Sequence, residues 1–286
     1  MKKKKIIIFT LLLILIGLIF LVRTTFVKEG DVLQNVVYRS ENLVVHVAKE
    51  GTNEKLVILG SGYSLSINEQ NKITNHDPLM IMPSTKEYRD NTTVMSIFYP
   101  FECKGLEEAG KELSIFVNEI AKEYDEIILI GHSKCGVCFA NAAKWIQQTV
   151  TIATVSTPFN GTLIADRKTI LEKLGFFEKI AYTLIFSDHQ VDKDIIPESN
   201  FIKNADYSGL QEHHHINIIS TCPSKTLNPI EWFLIYLDKK YVNGDGIVPE
   251  MSQKLTLDQT TEKNIKATHA TSLQKATIYL KENINL

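Results

Sequence analysis

Short apolar runs alternate along this chain with stretches whose apolar residues recur every three or four positions. "KLVILG" (Lys55 to Gly60), "TVMSIFYP" (Thr93 to Pro100), "EIILIG" (Glu126 to Gly131), "TVTIATVST" (Thr149 to Thr157) and "INIIST" (Ile216 to Thr221) read as buried strands. Val36 to Ala48 reads as two more, with a turn near Ser40 and Glu41. Between them, Gly105 to Tyr124 places Leu106, Ala109, Leu113, Phe116 and Ile120 on one face of a helix. Helices are also expected over Val137 to Gln148 and Ala270 to Glu282, with a short last strand over Asn264 to His269. Strands that alternate with helices predict an α/β fold, a mainly parallel sheet flanked by helices. Sites in such sheets lie beyond the C-terminal strand ends.

The first thirty or so residues break this pattern. Lys2 to Lys5 precede an almost purely apolar run, Ile6 to Val22. As a helix it would be about 25 Å long at roughly 1.5 Å per residue, short for a bilayer span and long for a signal-peptide core. No small-x-small cleavage site follows, so an uncleaved membrane anchor is expected, with a cleaved signal as the alternative. The lysines then stay cytoplasmic and the rest of the chain lies outside. Residues 1–30 are read as this segment and a linker, and 31–286 as one α/β domain. The length of 286 residues, 44% hydrophobic and 22% charged content, and net charge of −2 suit a globular protein and point to no nucleic-acid partner. Of the four cysteines, Cys103, Cys135, Cys138 and Cys222, no pairing is singled out. No metal or cofactor is expected: there is no zinc spacing, and His213 to His215 precede a strand on which alternate residues face opposite ways.

The chemistry centres on "LIGHSKCGVC" (Leu129 to Cys138). Ser133 ends the most apolar strand and opens a helix. A tight strand-to-helix turn there pushes Oγ into the open and needs small neighbours, a need met by Gly131 and partly by Cys135. A serine that merely caps a helix is the competing reading. Asp245, between Gly244 and Gly246, lies in a turn that suits either a catalytic carboxylate or an ordinary Asp-Gly bend; Asp188, Asp192, Asp194 and Asp206 are its rivals. His269 is the one histidine after Asp245. His132 adjoins the serine but should point away from its Oγ, and His46, His76 and His189 suit the surface or turns.

Together these stretches resemble the esterase and lipase branch of the α/β-hydrolase family. "GHSKCG" is similar to its nucleophile turn, with Cys135 where the family has glycine. "VILGSGYS" resembles the strand before its oxyanion loop, with Ser61 in place of a histidine and Gly62 matching the glycine. "VSTPFNGT", "NGDGIVP" and "ATHATSL" resemble the strand end after the nucleophile helix, the acid turn and the histidine loop, and "IIPESNFIKN" a stretch leading out of the lid. The resemblance implies a triad of Ser133, Asp245 and His269 and an oxyanion hole from the N–H groups of Lys134 and Tyr63. It also implies carboxylic-ester or lipid substrates, cleaved through an acyl-enzyme. The Lys134 side chain would sit at the site mouth or in solvent, and Cys135 would pack where the nucleophile helix crosses its strand. An inactive membrane-tethered binding module, or an acyltransferase or thioesterase with the same triad, are the alternatives.

The stretch between the strands ending at Thr157 and starting at Ile216 is far longer than the roughly dozen residues a crossover needs. It is read as an insertion over about 161–210. Ile170, Leu174, Phe177, Ala181 and Leu184 form an apolar stripe there, either a fixed helix or a cap over an acyl pocket with Phe177 and Leu184 against substrate. Gly161 and Gly175 are candidate hinges.

Overall fold

The computed structural model describes residues 33–52, 54–62, 65–67, 73–75, 88–100, 102–173, 190–222, 243–284 and 286. The expected anchor, Tyr63, Phe177, Leu184, Gly175 and most of the apolar stripe lie outside these residues. Among the described residues no helix is long and apolar enough to cross a membrane.

The strands are β1 (Val36–Arg39), β2 (Val44–Lys49), β3 (Lys55–Gly60), β4 (Leu65–Ile67), β5 (Ile73–Asn75), β6 (Thr92–Pro100), β7 (Glu126–His132), β8 (Thr151–Val155), β9 (His214–Thr221) and β10 (Thr261–Lys266). They join in the order β1-β2-β6-β3-β7-β8-β9-β10, with the β4–β5 hairpin beside the end of β6. From β6 to β10 every neighbour is parallel, while β1 and β2 add an antiparallel edge. The mainly parallel sheet flanked by helices is therefore as expected.

The two-residue strand period explains the layers. Leu56 and Ile58 of β3, and Ile127 and Leu129 of β7, face α1 (Leu106–Ile120) and α2 (Lys134–Ala142). Val57, Leu59, Ile128 and Ile130 face the other way, against Leu273, Ala276 and Leu280 of α7 (His269–Asn283). Each such side chain contributes about 1.5–3 kcal/mol on burial, so both faces must be apolar and the central strands read as unbroken hydrophobic runs. The chain runs from β3 to β6 on one side and then to β7 on the other. That reversal opens a crevice at the C-terminal ends of β3 and β7, where Gly60 pairs with Gly131.

Some boundaries differ from expectation. The helix after Ser133 starts at Lys134 and stops at Ala142, followed by a 3-10 turn to Trp145, rather than spanning Val137 to Gln148. Tertiary partners end it: His213 Nε2–H donates to the Ala143 carbonyl at 3.0 Å, and Asn118 Nδ2 to that of Trp145 at 3.0 Å. The last strand is Thr261–Lys266, and His269 belongs to a helix. Thr268 caps α7 in a reciprocal box with Thr271, which stops the extended chain before His269. His46 lies in mid-strand on β2, paired with Ser96 and half-buried, rather than in a turn.

Candidate active site

Ser133 follows β7 with φ 55° and ψ −125°, a backbone that non-glycine residues rarely adopt. Such strain costs roughly 1–3 kcal/mol and persists where packing enforces it. Here the packing consists of absent side chains. A Cβ on Gly131 would lie 2.7 Å from Gly136 Cα; one on Gly62 would overlap Ser133 Cβ, and one on Gly136 would overlap Thr157 Oγ1. The Ser133 N–H donates to the Val155 carbonyl at 2.8 Å, tying the turn to the neighbouring strand.

Cys135 sits elsewhere than expected. The crossing of α2 over its own strand is the Gly131–Gly136 contact, while Cys135 lies against β3, where a Cβ on Gly60 would come within 2.6 Å of Cys135 Cβ. The missing glycine is thus accommodated by a glycine on the adjacent strand. Cys135 Sγ donates to the Ser61 carbonyl at 3.0 Å and lies 3.1 Å from Tyr99 Oη. Burial pushes its thiol up to about 12, so it is neutral at ordinary pH and unsuited to nucleophilic attack. None of the four cysteines forms a disulfide among the described residues.

The structure brings Ser133, Asp245 and His269 together. Asp245 lies in the turn after β9, fully buried, where its Oδ1 accepts from the N–H groups of Ile247 (3.0 Å) and Val248 (2.8 Å). Its Oδ2 is 2.8 Å from His269 Nδ1, and its carbonyl accepts from the His269 N–H at 3.0 Å. His269 Nε2 is 3.0 Å from Ser133 Oγ. With Asp245 ionised, the network assigns the imidazole proton to Nδ1 and leaves Nε2 to accept from the serine hydroxyl. The arrangement is a buried serine, base and acid joined by two hydrogen bonds within the reach that proton transfer needs.

Of the rival carboxylates, Asp192 instead pairs with Lys134. The Lys134 side chain is 2% exposed and its Nζ lies 2.7 Å from Asp192 Oδ1, so it is neither solvated nor an open cation at a site mouth. Asp192 belongs to α4 (Gln190–Asp194; α3 is Arg167–Lys173, α5 Asn200–Asn204 and α6 Glu250–Gln253), within the expected insertion. Asp194, two residues on, accepts from the Leu106 N–H at 2.6 Å. Gly161 has φ 78° and is buried; a Cβ there would lie 2.6 Å from Pro197 N, and its carbonyl accepts from Ser252 Oγ. Ile170 is buried. His213 and His215 are held by other partners, Ala143 and Thr154 among them, and burial pushes His215 down to about 4. Among the described residues no group of three His, Cys, Asp or Glu side chains gathers as metal ligands would.

Two residues around the site carried no sequence signal. Gln253 is fully buried; its Oε1 accepts from the Ser220 N–H at 2.7 Å, and its Nε2 donates to the carbonyls of Ser220 and Val248, each at 3.0 Å. It clamps the acid turn to the end of β9. Ser272 Oγ links His132 to the carbonyl of His269. Each looks like an ordinary surface residue in a helix until tertiary packing is known.

No protein-family model and no curated protein matches this chain. Among solved structures, it resembles the lipase BlEst2 of Bacillus licheniformis in its mature form, with a TM-score of 0.56 and 13% identity over 86% of this chain and 99% of that one. The propeptide form of the same lipase gives a TM-score of 0.57 at 13% identity, over 86% of this chain and 54% of that longer one. The chain has the α/β-hydrolase fold. Within the α/β-hydrolase sheet, the serine occupies the turn beyond β7 and faces the switch-point crevice beside β3, the position from which a side chain reaches a ligand at the strand ends.

Proposed function

We propose that this protein is a serine hydrolase that cleaves carboxylic esters through an acyl-enzyme on Ser133. The observation that carries this reading is the unbroken relay from Ser133 Oγ through His269 to Asp245, with the serine on a strained turn at the sheet's switch point. His269 Nε2 takes the hydroxyl proton as Oγ bonds to the ester carbonyl carbon. Asp245 holds the ring and stabilises the imidazolium. The oxyanion meets the N–H of Lys134, at the first position of α2, and by family resemblance that of Tyr63. Collapse breaks the ester C–O bond, and the His269 proton leaves with the alcohol. Water, deprotonated by the same base, then releases the acid and restores Ser133.

The test is labelling by a fluorophosphonate together with turnover of p-nitrophenyl esters of increasing chain length. Wild type should label on Ser133 and hydrolyse at least the shorter esters. A chain inert to both sinks the reading and leaves a binding module.

Lys2 to Lys5 and the apolar run Ile6 to Val22 support a membrane anchor with the catalytic domain outside the cytoplasm. Protease added to intact cells should then degrade the domain, and protection from it would refute this topology. The apolar stripe through Phe177 and Leu184 supports a cap over an acyl pocket. Polar substitutions there should alter the rise in rate on insoluble ester more than turnover of a short soluble one. Equal effects on both would leave a fixed covering helix.

A further inference from the structure

His132 precedes the nucleophile and is itself buried, with 2% exposure. Its ring centroid lies 4.6 Å from that of His269, with the planes tilted by 43°. Its Nε2 is 2.9 Å from Ser272 Oγ, and Ser272 Oγ donates to the His269 carbonyl at 2.8 Å. A serine has one proton to give. With that proton on the His269 carbonyl, His132 must donate from Nε2, so its Nδ1 is a bare acceptor. Nδ1 has no hydrogen-bond partner among the described residues. A buried unpaired acceptor costs about 1–3 kcal/mol, and packing alone would be served as well by an apolar side chain. The histidine therefore calls for a role.

We propose that His132 is a positioning residue for His269: its ring supports the base from one face, and its Nε2–H, through Ser272 Oγ, holds the backbone from which the base projects. His269 is then fixed on three sides. Asp245 takes its Nδ1–H and its backbone N–H, Ser272 its carbonyl, and His132 its ring face. The titratable side chains set against His269 among the described residues are His132 from β7 and Asp245 from the acid turn. Burial, and next to it the neighbouring His269, hold His132 well below the ordinary histidine range. It stays neutral where the enzyme works and places no second cation beneath the imidazolium that forms during attack.

This inference rests on the acyl-enzyme reading, and its test separates the two. Wild type, His132→Phe, His132→Ala, His132→Gln and Ser272→Ala are compared after active-site titration with a phosphonate. The readouts are kcat and KM on a short soluble ester, the pH profile, and the low-field proton resonance of His269 Nδ1–H. His132→Phe and Ser272→Ala, which break the hydrogen-bonded link, should lower kcat per titrated site about 10- to 100-fold with little change in KM, as a small misplacement of a base does. They should also broaden or shift the resonance. His132→Gln, which restores a donor, should recover part of the loss. His132→Ala admits water beneath the ring and should move the acid limb of the profile to higher pH. Variants with wild-type kcat per site and an unmoved profile would overturn the proposal. So would losses confined to the number of titratable sites, which mark a folding defect. A wild-type chain inert to phosphonate would overturn the acyl-enzyme reading and this inference with it.

Discussion

Two serines sit side by side at the C-terminal ends of adjacent strands, and both have positive φ: Ser133 at 55° after β7 and Ser156 at 50° after β8. Both are buried, and each lies one step beyond the last register pair of the two strands, His132 with Val155. Their side chains meet different neighbours. Ser133 Oγ faces a histidine held by a buried carboxylate. Ser156 Oγ donates to Ser220 Oγ at 2.8 Å, and its N–H to the Ile218 carbonyl, so it joins β8 to β9. Backbone strain at a strand end is thus no mark of chemistry by itself. Here it is a consequence of chain turning sharply off a parallel sheet, and the neighbours decide whether the hydroxyl meets a base or serves as a strut.

The largest effect that tests this contrast is on turnover. Ser133→Ala should lower ester hydrolysis by about 10⁴- to 10⁶-fold with an unchanged far-ultraviolet spectrum, because serine, base and acid act as a unit. Ser156→Ala should leave kcat within about threefold and instead reduce stability by about 1–3 kcal/mol in urea, since Ser220 Oγ loses its buried partner. Equal losses of turnover in the two variants would erase the distinction. Asp245→Asn should follow with a loss of about 10³- to 10⁴-fold in kcat, the effect of a base held in the wrong tautomer; wild-type turnover would remove Asp245 from the relay.

Next comes the packing that enforces the Ser133 turn. Gly60→Ala drives a Cβ toward Cys135 and should destabilise by about 1–3 kcal/mol. Adding Cys135→Gly should recover most of that loss, whereas additive effects would show that the two positions do not compensate. Cys135→Ala alone should keep most activity, and iodoacetamide at pH 8 should leave Cys135 unmodified, because burial holds its thiol near 12. Activity lost with Cys135→Ala but kept with Ser133→Ala would replace the serine by a thiol.

The smallest effect is a background that must be known before the Ser156 variant is measured. Burial raises the Asp194 carboxyl from 3.8 to about 6 despite the hydrogen bond from Leu106. The native chain therefore binds more proton than the unfolded one between those values, and stability should fall as pH rises from about 4 to about 6. Urea midpoints across this window should show a slope that Asp194→Asn flattens. A slope that persists in Asp194→Asn would assign it to another group.

The order of strands and helices was legible because the central strands are buried on both faces and α1 repeats its apolar positions with helical spacing. Edges were less so. β10 is a sheet-edge strand whose residues are mostly exposed, so "TEKNIK" carries no apolar run to find. The end of α2 is set by His213 and Asn118, far away in sequence, and no local period contains them. Asp245 and His269 stood out by their turn and by their order after the serine. Lys134 misled, because a lysine after Ser133 gives no sign that Asp192 lies 2.7 Å away in the folded chain.

The sequence by itself determined the alternation of elements, the small residues of the Ser133 turn and the chain order of serine, acid and histidine, all of which are local patterns of size, polarity and spacing. The tertiary structure alone decided which glycine makes room for Cys135, which of two strained serines meets a base, and that His132 and Ser272 stand behind that base. Those are contacts between residues tens to more than a hundred positions apart, and a one-dimensional pattern holds no record of which distant side chains the sheet will bring within 3 Å of one another.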